Sequence, residues 1–222
     1  MDTRRPDPPG ETDELLPRAA AGDTAALAEL FARHRKRLRQ MVRLRLDRRL
    51  QGRVDPSDVL QEAYLDLAEK VSEYVRSRPE LPFYLWLRLV VGERMQRIHR
   101  RHLGAAMRDA GREVSLHRGA LPQASTASLA AQLLGRFTTA SEALVRAEAR
   151  LQVQQALNQM EPIDREVIAL RHFEELSNSE IAQVLGITPQ AASNRHLRAL
   201  ARLQAILKDV PGLLGQEGHR PK

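Results

Sequence analysis

The chain has 222 residues, of which 42% are hydrophobic and only 4% aromatic, and it contains no cysteine. The lack of cysteine excludes a disulfide scaffold, a thiolate metal site and a cysteine nucleophile. The 35 Lys and Arg residues outnumber the 28 Asp and Glu residues, and the resulting charge of +7 favours a polyanionic partner, nucleic acid first. Abundant Ala, Leu, Arg and Glu with few aromatic residues predict an all-α protein.

The N-terminal segment, residues 1–12, combines prolines and a glycine without an apolar repeat, and we expect it to be a disordered lead-in. No apolar run is long enough for a signal peptide or a membrane span, which predicts a cytoplasmic chain without membrane insertion. Asp23 is a candidate N-cap for a long helix. Its apolar stripe is Ala26, Leu27, Leu30, Phe31, Leu38, Met41, Val42 and Leu46. Its opposite face is basic: Arg33, Arg35, Lys36, Arg37, Arg39, Arg43, Arg45, Arg48 and Arg49.

A second helix is predicted to begin at Asp55-Pro56, because Asp is a good N-cap and Pro suits the first helical position. Its buried stripe is Val59, Leu60, Ala63, Leu67 and Val71. Its exposed side is acidic: Asp58, Glu62, Asp66, Glu69 and Glu73. A charged face is normally only solvated, but in a basic protein an acidic face cannot serve DNA, so it suggests a basic protein partner.

A third helix is predicted from Phe83 to Leu103, with aromatic residues at its start and a cluster of Arg and His at its end. Aromatic residues at a helix start are more often core than stacking platforms. Beside arginines, however, they are also what a protein needs to hold unstacked bases. We expect residues 104–140 to form a flexible linker with a short helix near residues 127–134.

The C-terminal part is predicted to start with an amphipathic helix, Ser141 to Met160, and to continue with a helix from Ile163 to Phe173. We expect the first of these to bury Leu144, Ala147, Leu151 and Leu157. The segment from Ser177 to Pro189 then carries the strongest local signals for helix starts and a turn. Ser177 and Glu180 form a capping box, Gly186 permits a tight turn, and Thr188-Pro189 starts another helix.

This pattern indicates a helix-turn-helix whose second helix enters the DNA major groove. Its outward polar residues are Gln190, Ser193, Asn194 and Arg198, with Arg195 and Arg202 extending the basic surface. The alternative is an ordinary helical hairpin.

Catalytic motifs are missing from the sequence: it has no G-x-S-x-G, H-E-x-x-H, P-loop or dinucleotide-binding fingerprint. His99 and His102 stand at i, i+3, but neighbouring arginines would repel a cation. We therefore predict no enzyme, no cofactor and no metal site.

These motifs resemble those of bacterial sigma factors of the sigma-70 family, in the extracytoplasmic-function group. Residues 55–65 are similar to the family's second conserved region, and Trp86-Leu87 with Arg100-Arg101 to its promoter-melting and minus-ten part. Residues 163–203 are similar to its fourth region. The runs His99 to Gly104 and Arg108 to Leu116 resemble a planctomycete-like subgroup.

The resemblance implies two small helical domains joined by a flexible linker. Region 2 would span residues 13–103, the linker 104–140 and region 4 residues 141–210, followed by a tail, 211–222. Core-polymerase binding would fall on Asp58, Gln61 and Glu62. Minus-ten contacts would fall on Trp86, Arg94, Arg97, Arg100 and Arg101. Minus-thirty-five contacts would fall on Arg171, Gln190, Ser193, Asn194, Leu197 and Arg198.

The implied partners are core RNA polymerase, through the coiled coil of its largest subunit and its flap, and promoter DNA. An anti-sigma factor is a further partner that many relatives have. The alternative function is a stand-alone helix-turn-helix regulator that acts on DNA without polymerase. The acidic helix discriminates between the two, because a stand-alone regulator has no need of it.

Overall fold

The computed structural model describes residues 11–77, 80–103, 121–137 and 143–208, and within these ranges every regular element is helical, as the composition predicts. The elements are α1 (Glu11–Ala20), α2 (Thr24–Arg45), α3 (Pro56–Ser77), α4 (Phe83–Leu103), α5 (Thr126–Phe137), α6 (Ala143–Gln159), α7 (Pro162–Ile168), a π-helical turn (Ala169–Phe173), α8 (Asn178–Leu185) and α9 (Pro189–Lys208). None of the described helices is long and apolar enough to cross a bilayer.

Helices α1 to α4 pack together as an N-terminal bundle, residues 11–103. The predicted lead-in is too long at its C-terminal end, because α1 already begins at Glu11. The Asp23 carboxylate accepts hydrogen bonds from the backbone N–H groups of Ala25 and Ala26, both at 3.0 Å, which confirms it as the N-cap of α2. Such a cap satisfies donors that the first helical turn leaves unpaired.

The apolar stripes predicted for α2 and α3 are buried throughout and form the centre of this bundle. The basic face predicted for α2 is partly wrong. Arg37 and Arg45 are buried, whereas Arg35, Lys36 and Arg43 are exposed. The acidic face of α3 also needs one correction: Asp66 is buried, because Arg94 and Arg97 of α4 pair with its carboxylate. Both corrections arise from partners on other helices, which helical periodicity does not reveal.

The predicted linker is partly an ordered element. Its residues 104–120 and 138–140 lie outside the described ranges, but α5 confirms the predicted short helix and packs against α2 and α6. The backbone N–H of Ser125 donates to the carbonyl of Leu44 at 2.9 Å, and the Gln51 amide donates to Ser128 Oγ at 3.1 Å. Residues 121–137 therefore lie on the N-terminal bundle as part of the packed structure.

Helix α6 only partly buries the residues predicted for its covered face. Leu157 is buried as predicted, together with Ala149 and Val153, whereas Ala147 and Leu151 are exposed and the side chain of Leu144 lies outside the described part. The spacing of four residues between 149, 153 and 157 gives a helical stripe as regular as the predicted one. Leu151 was therefore assigned to the buried face of α6 only because it is apolar, and an apolar residue need not be buried.

The helix-turn-helix forms as its local signals predict. Ser177 Oγ accepts the N–H of Glu180 at 3.2 Å, and the Glu180 carboxylate accepts the N–H of Ser177 at 2.7 Å. Gly186 ends α8 in the left-handed region, with φ 66°, where a side chain would be strained. Thr188 Oγ1 accepts the N–H of Ala191 at 3.1 Å and so caps α9.

Ser177→Ala is expected to lower the free energy of unfolding by about 1 kcal/mol, because it removes the side-chain acceptor of the capping box. Chemical denaturation followed by circular dichroism measures this change. Ser179→Ala is the matched control, since Ser179 is exposed two residues further along α8 and is not the cap. Equal stability of the two variants would contradict the capping role.

The C-terminal bundle, residues 121–208, packs directly on the N-terminal bundle. Val167, Leu170, Leu176 and Ile181 belong to the same apolar cluster as the core of α2, α3 and α4. Gly92 on α4 allows a close approach here, since a Cβ at this position would lie 1.6 Å from Leu121 Cδ2. The predicted pair of helical domains is present, and apolar residues of both belong to one cluster.

Candidate nucleic-acid and polymerase interfaces

The outward face of α9 presents the side chains predicted to read DNA. Gln190, Asn194, Leu197 and Arg198 are exposed, and Ser193 is half-buried. Gln190 Nε2 donates to Asn194 Oδ1 at 3.1 Å, so these two amides are held in one arrangement. Leu197 keeps 63% of its surface exposed, which for a large apolar residue in the middle of a polar face suits a contact with a thymine methyl group.

The inward face of α9 fixes the helix to the rest of the C-terminal bundle. Ala192 and Ala199 are fully buried, and small residues at these positions let α9 approach its neighbours closely. Arg195 pairs with Asp164 of α7 at 3.2 Å, so this arginine helps to position α9 rather than to extend a free basic surface. These contacts hold α9 against α7 and leave its polar face outward.

Arg171 lies apart from the exposed face of α9. It is half-buried in the π-helical turn, and its Nη1 donates to the backbone carbonyl of Leu176 at 2.9 Å. Close by, the imidazoles of His172 and His196 approach each other with Nε2 atoms 2.8 Å apart. Burial, followed by the positive charge of Arg171, lowers the pKa of His196, which favours a neutral ring beside its neighbour.

The exposed stripe of α3 carries the predicted polymerase-binding residues. Asp58 and Gln61 are exposed, and Glu69 continues the same line eleven residues after Asp58, three turns along the helix. Leu65 lies between them with 64% of its surface exposed. Leu65 was not among the residues predicted to bind polymerase. It is a large apolar residue that lies outside the buried stripe of α3. An apolar side chain surrounded by acidic and polar ones is typical of the centre of a protein interface.

Glu62 differs from Asp58 and Gln61, because it is half-buried and faces α4. Its carboxylate lies 3.3 Å from Arg94 Nη1 and 3.9 Å from Arg101 Nη1. Arg94 also pairs with Asp66. Burial alone would raise the pKa of Asp66, but its hydrogen bond and attraction to Arg94 outweigh that effect and lower the pKa. These contacts join α3 to α4 within the bundle.

The residues predicted for minus-ten contacts occupy different environments. Trp86 is half-buried in an aromatic cluster, its ring centroid 4.6 Å from that of Tyr74 and 5.7 Å from that of Phe83. Arg94 is largely covered and Arg97 half-covered by their pairing with Asp66. Arg100 and Arg101 are exposed at the end of α4. Arg100 and Arg101 are therefore the two of these five residues whose side chains are largely open to solvent.

His99 joins the end of α4 to the segment after α2. Its Nε2 accepts the backbone N–H of Asp47 at 3.2 Å, which requires a neutral ring. Burial lowers the pKa of His99 below its ordinary value of 6.5, and the positive charge of Arg49 adds to this against the opposing attraction of Asp47. The unfolded chain therefore binds a proton more readily than the folded one as pH falls.

The free energy of unfolding is expected to be highest above pH 6.5 and to decrease as the pH falls below that value toward the folded-state pKa of His99. In His99→Gln, the free energy of unfolding should decrease less steeply with falling pH. The amide oxygen of glutamine can still accept the N–H of Asp47, but it does not titrate. Denaturation curves between pH 5 and 8 measure the effect, with the exposed His102→Gln as control. The same pH slope in both variants would contradict the assignment.

Both bundles of this chain are similar to parts of known proteins. The family model "Sigma-70, region 4" matches residues 150–203, which run from within α6 through most of α9. The chain is similar to the RNA polymerase sigma factor NccH of Alcaligenes xylosoxydans xylosoxydans, with 26% identity over 206 residues that cover 90% of this chain and 96% of the relative. It is also similar to CnrH in a structure of CnrH in complex with the cytosolic domain of CnrY, with a TM-score of 0.52, 26% identity, and coverage of 89% of this chain and 97% of that one.

The chain is therefore similar to sigma factors over both bundles, and its C-terminal part matches region 4 of the sigma-70 family. The region 4 match contains the whole helix-turn-helix that the capping box and the turn at Gly186 predict. The similarity to NccH and CnrH extends over both bundles, which agrees with the resemblance drawn from residues 55–65 and 86–101.

Proposed function

We propose that this protein is a sigma factor of the extracytoplasmic-function group in the sigma-70 family and directs core RNA polymerase to promoters through three surfaces. The exposed stripe of α3 docks on the polymerase, the end of α4 contacts the minus-ten element, and α9 reads the minus-thirty-five element. The sigma factor performs no reaction of its own, and the polymerase supplies the chemistry. The observation that carries this proposal is the exposed face of α9, a rigid and polar helix face inside a region 4 match.

The docking surface on α3 consists of Asp58, Gln61, Leu65 and Glu69, with Glu62 at its edge. Charge supports a basic partner, because a protein of net charge +7 carries an acidic stripe here. Leu65 supports a protein partner rather than a solvated face, because binding would bury it. The coiled coil of the largest polymerase subunit is the partner that the family resemblance implies.

The minus-ten surface at the end of α4 adjoins the docking surface, because Arg101 Nη1 lies 3.9 Å from the carboxylate of Glu62. Arg100 and Arg101 are exposed and would hold the phosphate backbone, while the uncovered part of the half-buried Trp86 would stack on an unpaired base. Arg94 and Arg97 would act mainly by holding α4 on α3. Only the arginines at the end of α4 would therefore contact DNA, rather than all the arginines along the helix.

Further partners follow from the relatives. The similar structure shows CnrH with the cytosolic domain of CnrY, which supports an anti-sigma factor as a partner of this chain as well. A role at the polymerase also places the chain in the cytoplasm. Membership of a planctomycete-like subgroup is supported by the run His99 to Gly104, whereas the second run, Arg108 to Leu116, lies outside the described residues.

Footprinting on a promoter tests the division of labour. Polymerase with this sigma factor should protect both the minus-ten and the minus-thirty-five element. Arg198→Ala should weaken protection at minus thirty-five, and Arg100→Ala with Arg101→Ala should weaken it at minus ten. Loss of both footprints in either variant would contradict separate surfaces.

A further inference from the structure

A cavity of about 490 Å³ lies where the end of α2, the turn after it, the start of α3, and helices α5 and α6 meet. This volume falls within the range of about 300 to 1,000 Å³ that small-molecule sites have. The proposed function uses only one residue of its lining, Asp58, which also begins the docking surface on α3. The cavity is therefore a separate feature that borders the proposed polymerase-binding surface.

Three arginines from three different segments line this cavity: Arg43 of α2, Arg53 of the turn and Arg150 of α6. Arg43 and Arg53 are exposed, and Arg150 is half-buried. Within the described part of the chain, none of the three has a carboxylate oxygen within 4 Å of its guanidinium group. Guanidinium groups without a carboxylate partner are well suited to phosphate, which arginine binds through paired N–H groups.

Other arginines of α2 are paired. Arg33 pairs with Glu29 at 2.6 Å, and Arg45 pairs with Glu166 and Glu174. Four cations of α2 have no such pair with a described carboxylate: Arg35, Lys36, Arg39 and Arg43. They occupy one face of α2, because residues four apart follow one line along a helix, and this face leads to the cavity. A row of like charges beside a cavity raises the local concentration of anions.

Two carboxylates, those of Asp55 and Asp58, also line the cavity. Asp55 is engaged at the start of α3, where its Oδ1 accepts the N–H of Ser57 at 2.7 Å. Hydrogen bonds from Ser57, followed by the positive charges of Arg39 and Arg43, lower the pKa of Asp55. Asp58 is exposed. A ligand that fits this lining must therefore offer hydrogen-bond donors as well as negative charge.

We infer that this cavity is a binding site for a nucleoside polyphosphate. The phosphoryl groups contact Arg43, Arg53 and Arg150, and hydroxyl or amino groups of the nucleoside donate to Asp58, as acidic side chains do for ribose in dinucleotide sites. Gln132 of α5 is half-buried in the lining and offers its amide as a further partner. A polyphosphate without a nucleoside has no donor for Asp58, and a nucleoside without phosphate does not use the arginines.

Occupancy of the cavity is expected to weaken docking on polymerase. Asp58 belongs both to the cavity and to the docking surface on α3, so the nucleotide and the polymerase compete for the same side chain. This consequence rests on the proposed function, whereas nucleotide binding by the free protein does not. The nucleotide would thus regulate how much of the protein is bound to polymerase.

Isothermal titration calorimetry of the free, full-length protein tests the site. ATP and GTP are the probes, and adenosine and tripolyphosphate are the comparison compounds. We expect a nucleoside triphosphate to bind, adenosine to give no signal, and tripolyphosphate to bind at least about tenfold more weakly than the nucleotide, because it lacks donors for Asp58. Absence of binding by both triphosphates, or equally tight binding of tripolyphosphate, would overturn the inference.

Arg53→Gln should weaken nucleotide binding at least about tenfold, because it removes a charge-assisted contact to phosphate. Arg48→Gln is the matched control, since Arg48 is also exposed in the turn after α2 but does not line the cavity. Both variants remove one positive charge, and circular dichroism checks that both remain folded. Equal nucleotide affinity of the two variants would place the bound nucleotide elsewhere and overturn the site.

Fluorescence anisotropy of the labelled protein, titrated with core polymerase, tests the competition. Saturating nucleotide should lower the affinity of the unmodified protein for core polymerase, whereas Arg53→Gln should bind core polymerase equally well with and without nucleotide. An equal decrease in Arg53→Gln would arise on the polymerase and would overturn the competition. If the nucleotide binds the free protein in the cavity but the protein does not bind core polymerase, the site stands and the proposed function fails.

Discussion

Asp58→Arg is expected to lower the affinity for core polymerase at least about 100-fold. The substitution places a positive charge at the exposed start of the α3 docking stripe, and a like-charge contact with a basic partner costs several kcal/mol. The fold should be unaffected, because Asp58 is exposed and no described contact depends on its carboxylate. Fluorescence anisotropy of the labelled sigma factor, titrated with core polymerase, measures the affinity.

Glu148→Arg on α6 is the control for this change. Glu148 is exposed, and the variant alters the net charge of the protein by the same amount at a site outside the proposed docking stripe. It should bind core polymerase as the unmodified protein does. If Asp58→Arg and Glu148→Arg bind equally well, the polymerase does not dock on this part of α3.

Arg198→Ala is expected to weaken binding to a cognate minus-thirty-five element by about 1 to 3 kcal/mol, or roughly 5- to 150-fold, if its guanidinium contacts a base. The exposed position of Arg198 on the outward face of α9 means that its removal leaves the bundle intact. Promoter affinity of the polymerase complex, measured with cognate and scrambled minus-thirty-five elements, separates base contact from phosphate contact. A base contact is lost only on the cognate element.

Arg76→Ala serves as the control for this second change, because Arg76 is exposed at the end of α3 and is remote from α9 in the sequence. It should not alter the preference for the cognate element. An Arg198→Ala variant that keeps full preference would show that this arginine does not read the element. Uniform weakening on both elements would instead reassign Arg198 to the phosphate backbone.

Local signals in the sequence were sufficient for the elements that present the site. The N-caps Asp23 and Ser177, and the turn at Gly186, act on backbone groups within a few residues of themselves. Their outcome therefore depends little on the rest of the chain. The helix-turn-helix followed directly from such signals.

Long-range pairing explains most of what the sequence did not reveal. Arg45 and Glu174 are 129 residues apart in sequence, and nothing near Arg45 distinguishes a buried arginine from the exposed ones on the same helix. Asp66 is likewise buried because of arginines on α4. The shared core of the two bundles was unpredictable for the same reason, since amphipathic helices show only that a face is covered, not by which element.

Two exposed leucines account for the remaining differences between the predicted and the observed helix surfaces. Leu151 was assigned to the buried face of α6 because of its hydrophobicity, and Leu65 was not considered because it stood outside the apolar stripe of α3. Both are exposed in the structure. Sequence alone does not separate Leu65 from Leu151, because single apolar residues are common on protein surfaces.

Transcription in vitro tests the central claim most directly. Purified bacterial core polymerase is incubated with fragmented DNA of the source genome, with and without this sigma factor, and transcripts are mapped. We predict discrete new start sites that require both components and that disappear with Asp58→Arg. DNA binding by the chain alone, with no start site even in the presence of cognate core polymerase, would contradict this account and would favour a stand-alone helix-turn-helix regulator.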